Sequence, residues 1–143
     1  LPTYYRHLTA PPGHVRLVYG RSPVHTFGRT QNTPVLAGRE DENALWVSPQ
    51  TAAAFAVEEA NEVEIINQDG VREGPIALKV TARIRDDAVY MTHGHGHNSR
   101  QLTRAYNRGA DDSALMTRYA VDPLSGGTAM RVNFVRLVRP HAA

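Results

Sequence analysis

Cysteine is absent from this 143-residue chain. That absence removes disulfides, thiolate zinc sites, cysteine-ligated iron–sulfur clusters and cysteine nucleophiles from consideration. Lysine is nearly absent too, Lys79 being the single one among 16 basic residues. The basic groups are therefore guanidinium forks, suited to planar recognition of carboxylate or phosphate rather than to a diffuse cationic coat. Sixteen basic against 14 acidic residues leave a formal charge of +2. So small an excess excludes the dense positive field of a duplex binder, and no nucleic-acid partner is expected. No apolar run approaches the length of a membrane span, so direct membrane insertion is not expected either. The start, "LPTYYRHLTAPPG", has neither an initiator Met nor a signal peptide's apolar region, and the chain reads as a piece of something longer. What remains is 41% hydrophobic and 21% charged, an ordinary globular composition with enough length for one core.

Short strands dominate. Residues 1–14 read as an extended lead-in and residues 15–143 as one domain. "VRLVYG" (15–20) has the makeup of a short buried strand closed by Gly20. "SPQTAAAFAV" begins like a helix, with Ser48 as N-cap and Pro49 in the first helical position. "EVEIINQDG" reads as a strand ending in an Asp69-Gly70 turn. In "IALKVTARI", Ile76, Leu78, Val80, Ala82 and Ile84 alternate with mostly polar positions, which predicts a strand with one buried face. "AVYM" (88–91) is a further strand, and "MRVNFVRLV" a final one opened by Arg131. Between them, Asn98 with Gln101 suggests a capped helix carrying Leu102, Ala105 and Tyr106 on one face and ending at Gly109. "ADDSALM" suggests one more helical turn, and Trp46 and Phe55 read as core residues. Five to seven short strands and two or three short helices follow. Their spacing is too tight for repeated βαβ units, so the fold is expected to be mainly β, a small mixed barrel.

Two polar stretches invite chemistry. "HGHGH" (93–97) packs three imidazoles and two glycines between a strand and the expected helix. Free backbone N–H groups at such a junction, with Gly94 and Gly96 permitting close approach, suit an anion, and His93, His95 and His97 are able to donate to it. If extended, the segment would put the three histidines on one face with neighbouring Cβ atoms roughly 6.5–7 Å apart, awkward for a single metal ion. A histidine-based metal-binding module and a plain solvated loop stay open as alternatives. The second stretch, "RSPVHTFGRTQNTP" (21–34), is long for a strand connection and holds Arg21, His25, Thr26, Arg29, Thr30, Gln31 and Asn32. That donor density fits phosphates and a polar heterocycle, while arginines paired with local acids are the plainer reading. Asp111 and Asp112 are either acceptors for a guanine edge or a helix cap. No catalytic triad or carboxylate pair is identifiable from spacing.

The ordered segments "LVYGRSPVHTFGRTQNTPVL", "ALWVSPQTAAAFAVEEANEVEIINQDG", "ALKVTARIRDDAVYMTHGHGH" and "DPLSGGTAMRVNFVRLV" resemble the C-terminal domain of the molybdopterin oxidoreductases, the dimethyl sulfoxide reductase family. "GRSPVHTFGRTQN" with "HGHGH" is most similar to the thiosulfate and polysulfide reductase branch. The resemblance covers nearly the whole chain and implies a double-psi β-barrel closing over molybdopterin guanine dinucleotide, with molybdenum or tungsten held by pterin sulfurs. It implies that His25, Thr26 and Arg29, with Arg21, Thr30 and Asn32 in the same loop, meet the pterin or its phosphates. It places Arg131 at a basic cofactor-binding position and turns His93, Gly94, His95, Gly96 and His97 toward the dithiolene region. Where relatives carry an Asn that meets guanine, this chain offers Asp111, Asp112 or Ser113, Asp112 being the candidate. Where many relatives have Asp-Gly before the second strand, it has Ala60-Asn61, and Asn61 is expected to take the left-handed turn. The family's catalytic metal ligand and iron–sulfur cluster lie in earlier domains, so no catalytic residue, no protein metal ligand and no turnover is expected of this chain alone. The implied partners are the remaining domains of the parent subunit, an iron–sulfur electron-transfer subunit and a membrane anchor. The implied place is periplasmic or membrane-associated, and the implied parent reduces an inorganic sulfur compound.

Overall fold

The computed structural model describes residues 8–140, so the first seven residues of the expected lead-in lie outside the described residues. Eight strands form. β1 (Val15–Gly20), β2 (Ala44–Val47), β3 (Glu62–Asn67), β4 (Arg72–Val80), β5 (Ala88–Thr92) and β8 (Phe134–Val138) close a barrel in the order β1-β5-β2-β4-β3-β8. β6 (Ala120–Val121) and β7 (Thr128–Ala129) make a separate hairpin around "DPLSGG"; neither these two nor β2 is among the strands named from the sequence. Two pairs, β1 with β5 and β2 with β4, are parallel, and the other four junctions are antiparallel. The result is mainly β, a double-psi barrel with three short helices.

Alternation builds the interior. Leu45 and Val47 of β2, Val63 and Ile65 of β3, Ile76 and Leu78 of β4, Val89 and Met91 of β5, and Val135 and Leu137 of β8 all point inward. Successive side chains of a strand face opposite ways, so the same pattern sends Trp46 outward. It is half-buried on the barrel's outer wall, edge-on to Tyr90 at 5.4 Å with the Lys79 ammonium 4.2 Å from its ring centroid. Trp46 is thus a wall residue, not the core residue expected, whereas Phe55 does pack against the core.

The helices are short and locally encoded. α1 (Pro34–Ala37) follows the first polar loop. α2 (Pro49–Ala54) starts as predicted, the Ser48 hydroxyl accepting from Thr51 N–H, and ends where Val57 N–H reaches back to Ala52 O at 3.0 Å. α3 (Asp112–Leu115) is the expected single turn, capped by the Asp111 carboxylate on Ser113 N–H.

Three further expectations fail for stated reasons. β4 stops at Val80 rather than running on to Ile84, because its partner β2 ends at Val47 and the chain there turns into α2. Beyond it Ala82 is exposed and Ile84 half-buried. No helix forms over residues 98–109: Arg104 N–H and Ala105 N–H go to the Asn32 carboxamide oxygen, and Asn107 N–H goes to His97 O at 2.8 Å. Long-range partners outcompete the i→i−4 ladder, and the segment folds back on residues 96–97 as a loop. Finally, Ala60 rather than Asn61 takes the left-handed conformation, at φ 61°. The Asn61 side chain instead accepts from Glu58 N–H, which closes the turn.

Candidate functional site

Parallel pairing of β1 and β5 brings the two polar loops together. Gly20 stands opposite Thr92 in that pairing, so residues 21–33 and 93–97 leave the barrel from adjacent strand ends. His93 N–H donates to Gly20 O at 2.8 Å and carries the ladder one residue into the loops. From there contact is backbone on backbone. A Cβ on Gly94 (φ 98°) would stand 2.5 Å from the carbonyl of Phe27, and one on Gly96 (φ 78°) would overlap the backbone of Asp111. Only glycine meets both the left-handed backbone and the lack of room. The histidine stretch is thus clamped between the first loop and α3.

Bent at both glycines, it does not present its imidazoles on one face as an extended segment would. His93 Nδ1 donates to the Asp112 carboxylate, 2.9 Å from each oxygen. His95 turns inward beside His25, the ring centroids 5.6 Å apart. His97 bridges to Tyr106 and lies against Gly28.

His93 is the middle of an arc of rings and cations. The Arg21 guanidinium lies 4.6 Å from the Phe27 centroid, and Phe27 meets His93 edge-on at 5.8 Å. On the other side Tyr19 lies 6.2 Å from His93, with the Arg131 guanidinium 5.7 Å from the tyrosine ring. Arg131 precedes β8 rather than opening it, and also donates to Tyr19 O at 3.4 Å. Below the arc, Gly28, His93 to Asn98, Asp111 and Ser113 line a cavity of about 300 Å³. It shares Gly96, Asn98 and Asp111 with a larger cleft of about 720 Å³, bordered by Glu42, Glu62, Glu73 and Arg108. Burial pushes the Glu73 carboxyl above its usual range, although it accepts from Asp111 N–H.

The expected site residues divide by burial. Arg21, Thr26, Arg29 and Arg131 are exposed on the rim. His25, Thr30 and Asn32 point the other way and hold the first loop in shape. Thr30 Oγ1 accepts from Thr26 N–H, His25 Nε2 lies 2.6 Å from Glu40 O, and Asn32 ties down residues 104 and 105. Asp112 is fully buried and its carboxylate is engaged by His93, while Asp111 is the cap of α3. Sequence reasoning missed Glu40, Glu73, Tyr19 and Asn43. Asn43 alone joins Thr92 O, Ala110 O and Ala110 N–H, tying β5 to the approach of α3. No motif or spacing marks any of the four.

A barrel whose donors gather in two glycine-bearing loops at one rim has the makeup of a domain that binds a polar ligand. The family model described as "Molydopterin dinucleotide binding domain" matches residues 15–134, and the chain belongs to that family. It is a molybdopterin dinucleotide-binding domain, related to thiosulfate reductase. Over 109 residues, 76% of this chain, it is 34% identical to the thiosulfate reductase molybdopterin-containing subunit PhsA of Salmonella typhimurium. Acetylene hydratase from Pelobacter acetylenicus shares the fold over 96% of this chain, with a TM-score of 0.67 at 11% identity. The chain spans 14% of the length of the first protein and 21% of the second, so in both the matching part lies within a much larger chain.

Proposed function

We propose that this domain holds a molybdopterin guanine dinucleotide carrying molybdenum or tungsten, inside a catalytic subunit that reduces thiosulfate or a related inorganic sulfur compound. The observation that carries the reading is the junction of the 21–33 and 93–97 loops, glycine backbone against backbone, at the ends of two parallel strands. The donor set fits the group. Arg29, Arg21 and Arg131, with the loop N–H groups, match phosphate oxygens and a pterin's ring acceptors. The carboxylates of the larger cleft match the imino and amino donors of guanine, a role Glu73 or Asp111 fills better than the engaged Asp112. When bound, the cofactor supplies the two-electron chemistry, and this chain supplies orientation and electrostatics. His93, its Nδ1–H fixed on Asp112, presents Nε2 as the ring nitrogen free to meet the ligand.

The 34% identity to a thiosulfate reductase subunit supports the sulfur substrate. With it go an iron–sulfur electron-transfer partner, a membrane-anchor subunit and a periplasmic or membrane-associated location. Among the described residues no helix is long and apolar enough to cross a membrane. The test is cofactor content of the parent enzyme carrying Arg29→Ala together with Arg131→Ala. Loss of most bound pterin is expected, and full retention overturns the assignment of these residues.

A further inference from the structure

Behind the rim, with His95 also bordering the smaller cavity, His25, Glu40 and His95 form a buried cluster. Each places a ligand-type atom within 4.8 Å of the other two. His95 is 3% exposed and His25 5%. His95 Nε2 lies 3.5 Å from Glu40 Oε1, yet neither atom has a hydrogen-bond partner, and His95 Nδ1 has none either. Three orphaned polar atoms in one buried spot are uncommon, since each unsatisfied group costs about 1–3 kcal/mol. We propose that His25, Glu40 and His95 form a structural site for a divalent transition metal of the zinc type.

Two imidazoles and one carboxylate are a ligand set that zinc takes. Bonds of about 2.0–2.1 Å in a tetrahedron set neighbouring ligand atoms about 3.3 Å apart, close to the existing His95–Glu40 separation. The surroundings are those of a metal-binding imidazole. His25 Nε2–H donates to the Glu40 carbonyl at 2.6 Å, which fixes the ring and leaves the lone pair on Nδ1, shared only with the Thr30 hydroxyl at 3.2 Å. Glu40 is anchored through its other oxygen by the Ser22 hydroxyl at 2.9 Å, so Oε1 is the free one. Its side chain is 24% exposed, which gives an aqueous fourth ligand and the ion itself a way in. A metal here would tie the 93–97 stretch to the first loop by a bond independent of any pterin. The site differs from a metal held by the three loop histidines, because it uses His95 alone of the three.

The test uses the full chain, freed of cofactor, treated with chelator and dialysed against zinc at neutral pH. About one zinc per chain is expected, with a raised unfolding temperature in its presence. His95→Gln and Glu40→Gln each weaken zinc binding by about tenfold or more, while His93→Gln and His97→Gln leave it intact. Binding fades on acidification as the imidazoles take up protons. Cobalt in place of zinc gives the visible absorption of a four-coordinate site. If His95→Gln does not fold, Glu40→Gln decides, since it keeps shape and loses only the ligand charge. Absence of zinc uptake overturns the proposal, as does uptake lost in His93→Gln or His97→Gln but kept in Glu40→Gln. Neither result bears on pterin retention, which Arg29 and Arg131 report separately.

Discussion

The barrel interior and the loop rim are held together by different physics. The interior is filled by Leu, Val, Ile and Met from six strands, with Leu45, Val47, Val63, Ile65, Val89, Met91 and Val135 fully excluded from water. Its attraction is non-directional and scales with apolar area, so a side chain of similar shape does nearly as well. The rim has almost no apolar filling. It is fixed by glycines with no room for a methyl group and by buried polar side chains with directed bonds, Asn43 and Asp112 among them. One methyl group should therefore weigh very differently in the two places.

Gly96→Ala gives the largest effect. The new Cβ would overlap the Asp111 backbone in a left-handed conformation, and overpacking and backbone strain together predict a loss of about 4 kcal/mol. Denaturant unfolding measures it, and a loss near zero would mean that the rim yields as easily as the core. Removing one methyl from the interior, Ile65→Val, is expected to cost about 1 kcal/mol by the same measurement. A cost equal to that of Gly96→Ala would erase the contrast between the regions.

The smallest effect concerns His95 in metal-free protein. Burial lowers its pKa from the ordinary 6.5, opposed by the nearby Glu40 carboxylate and helped by His25. The fold thus favours neutral His95. Its contribution is fully present above 6.5 and is lost as pH falls through the lowered folded value. Stability of the wild type is expected to drop over that window, and His95→Gln to flatten the drop. An unchanged profile in the variant would show that His95 titrates as in the unfolded chain.

Much of the barrel was legible. The strand composition of "VRLVYG", "EVEIIN" and "AVYM" and the Ser48-Pro49 helix start all stand where local rules put them, because such signals need no distant partner. Residues 98–109 carried an equally local helix signal and formed none. There Asn32, 72 positions from Arg104, and His97, just before the segment, offered better hydrogen bonds than the helix could. The rim was half legible: "HGHGH" and the donor-rich loop stood out by composition, and the ordered segments carried the family resemblance. Which imidazole faces a ligand did not, since Asp112 and Glu40 are 19 and 55 positions from their histidines and nothing marks the pairing.

Composition and alternation by themselves determined a cysteine-free, mainly β barrel with arginine-rich donor loops, because burial pattern and side-chain chemistry are properties of short stretches. Only the tertiary structure decided that the loops meet, that His93 and His95 point to opposite tasks, and that Trp46 lies on the wall. The first two depend on the parallel register of β1 with β5 and on backbone clearances at Gly94 and Gly96, and the third on the pairing of β2 with β4 and β5, all of which exist only once distant strands are side by side.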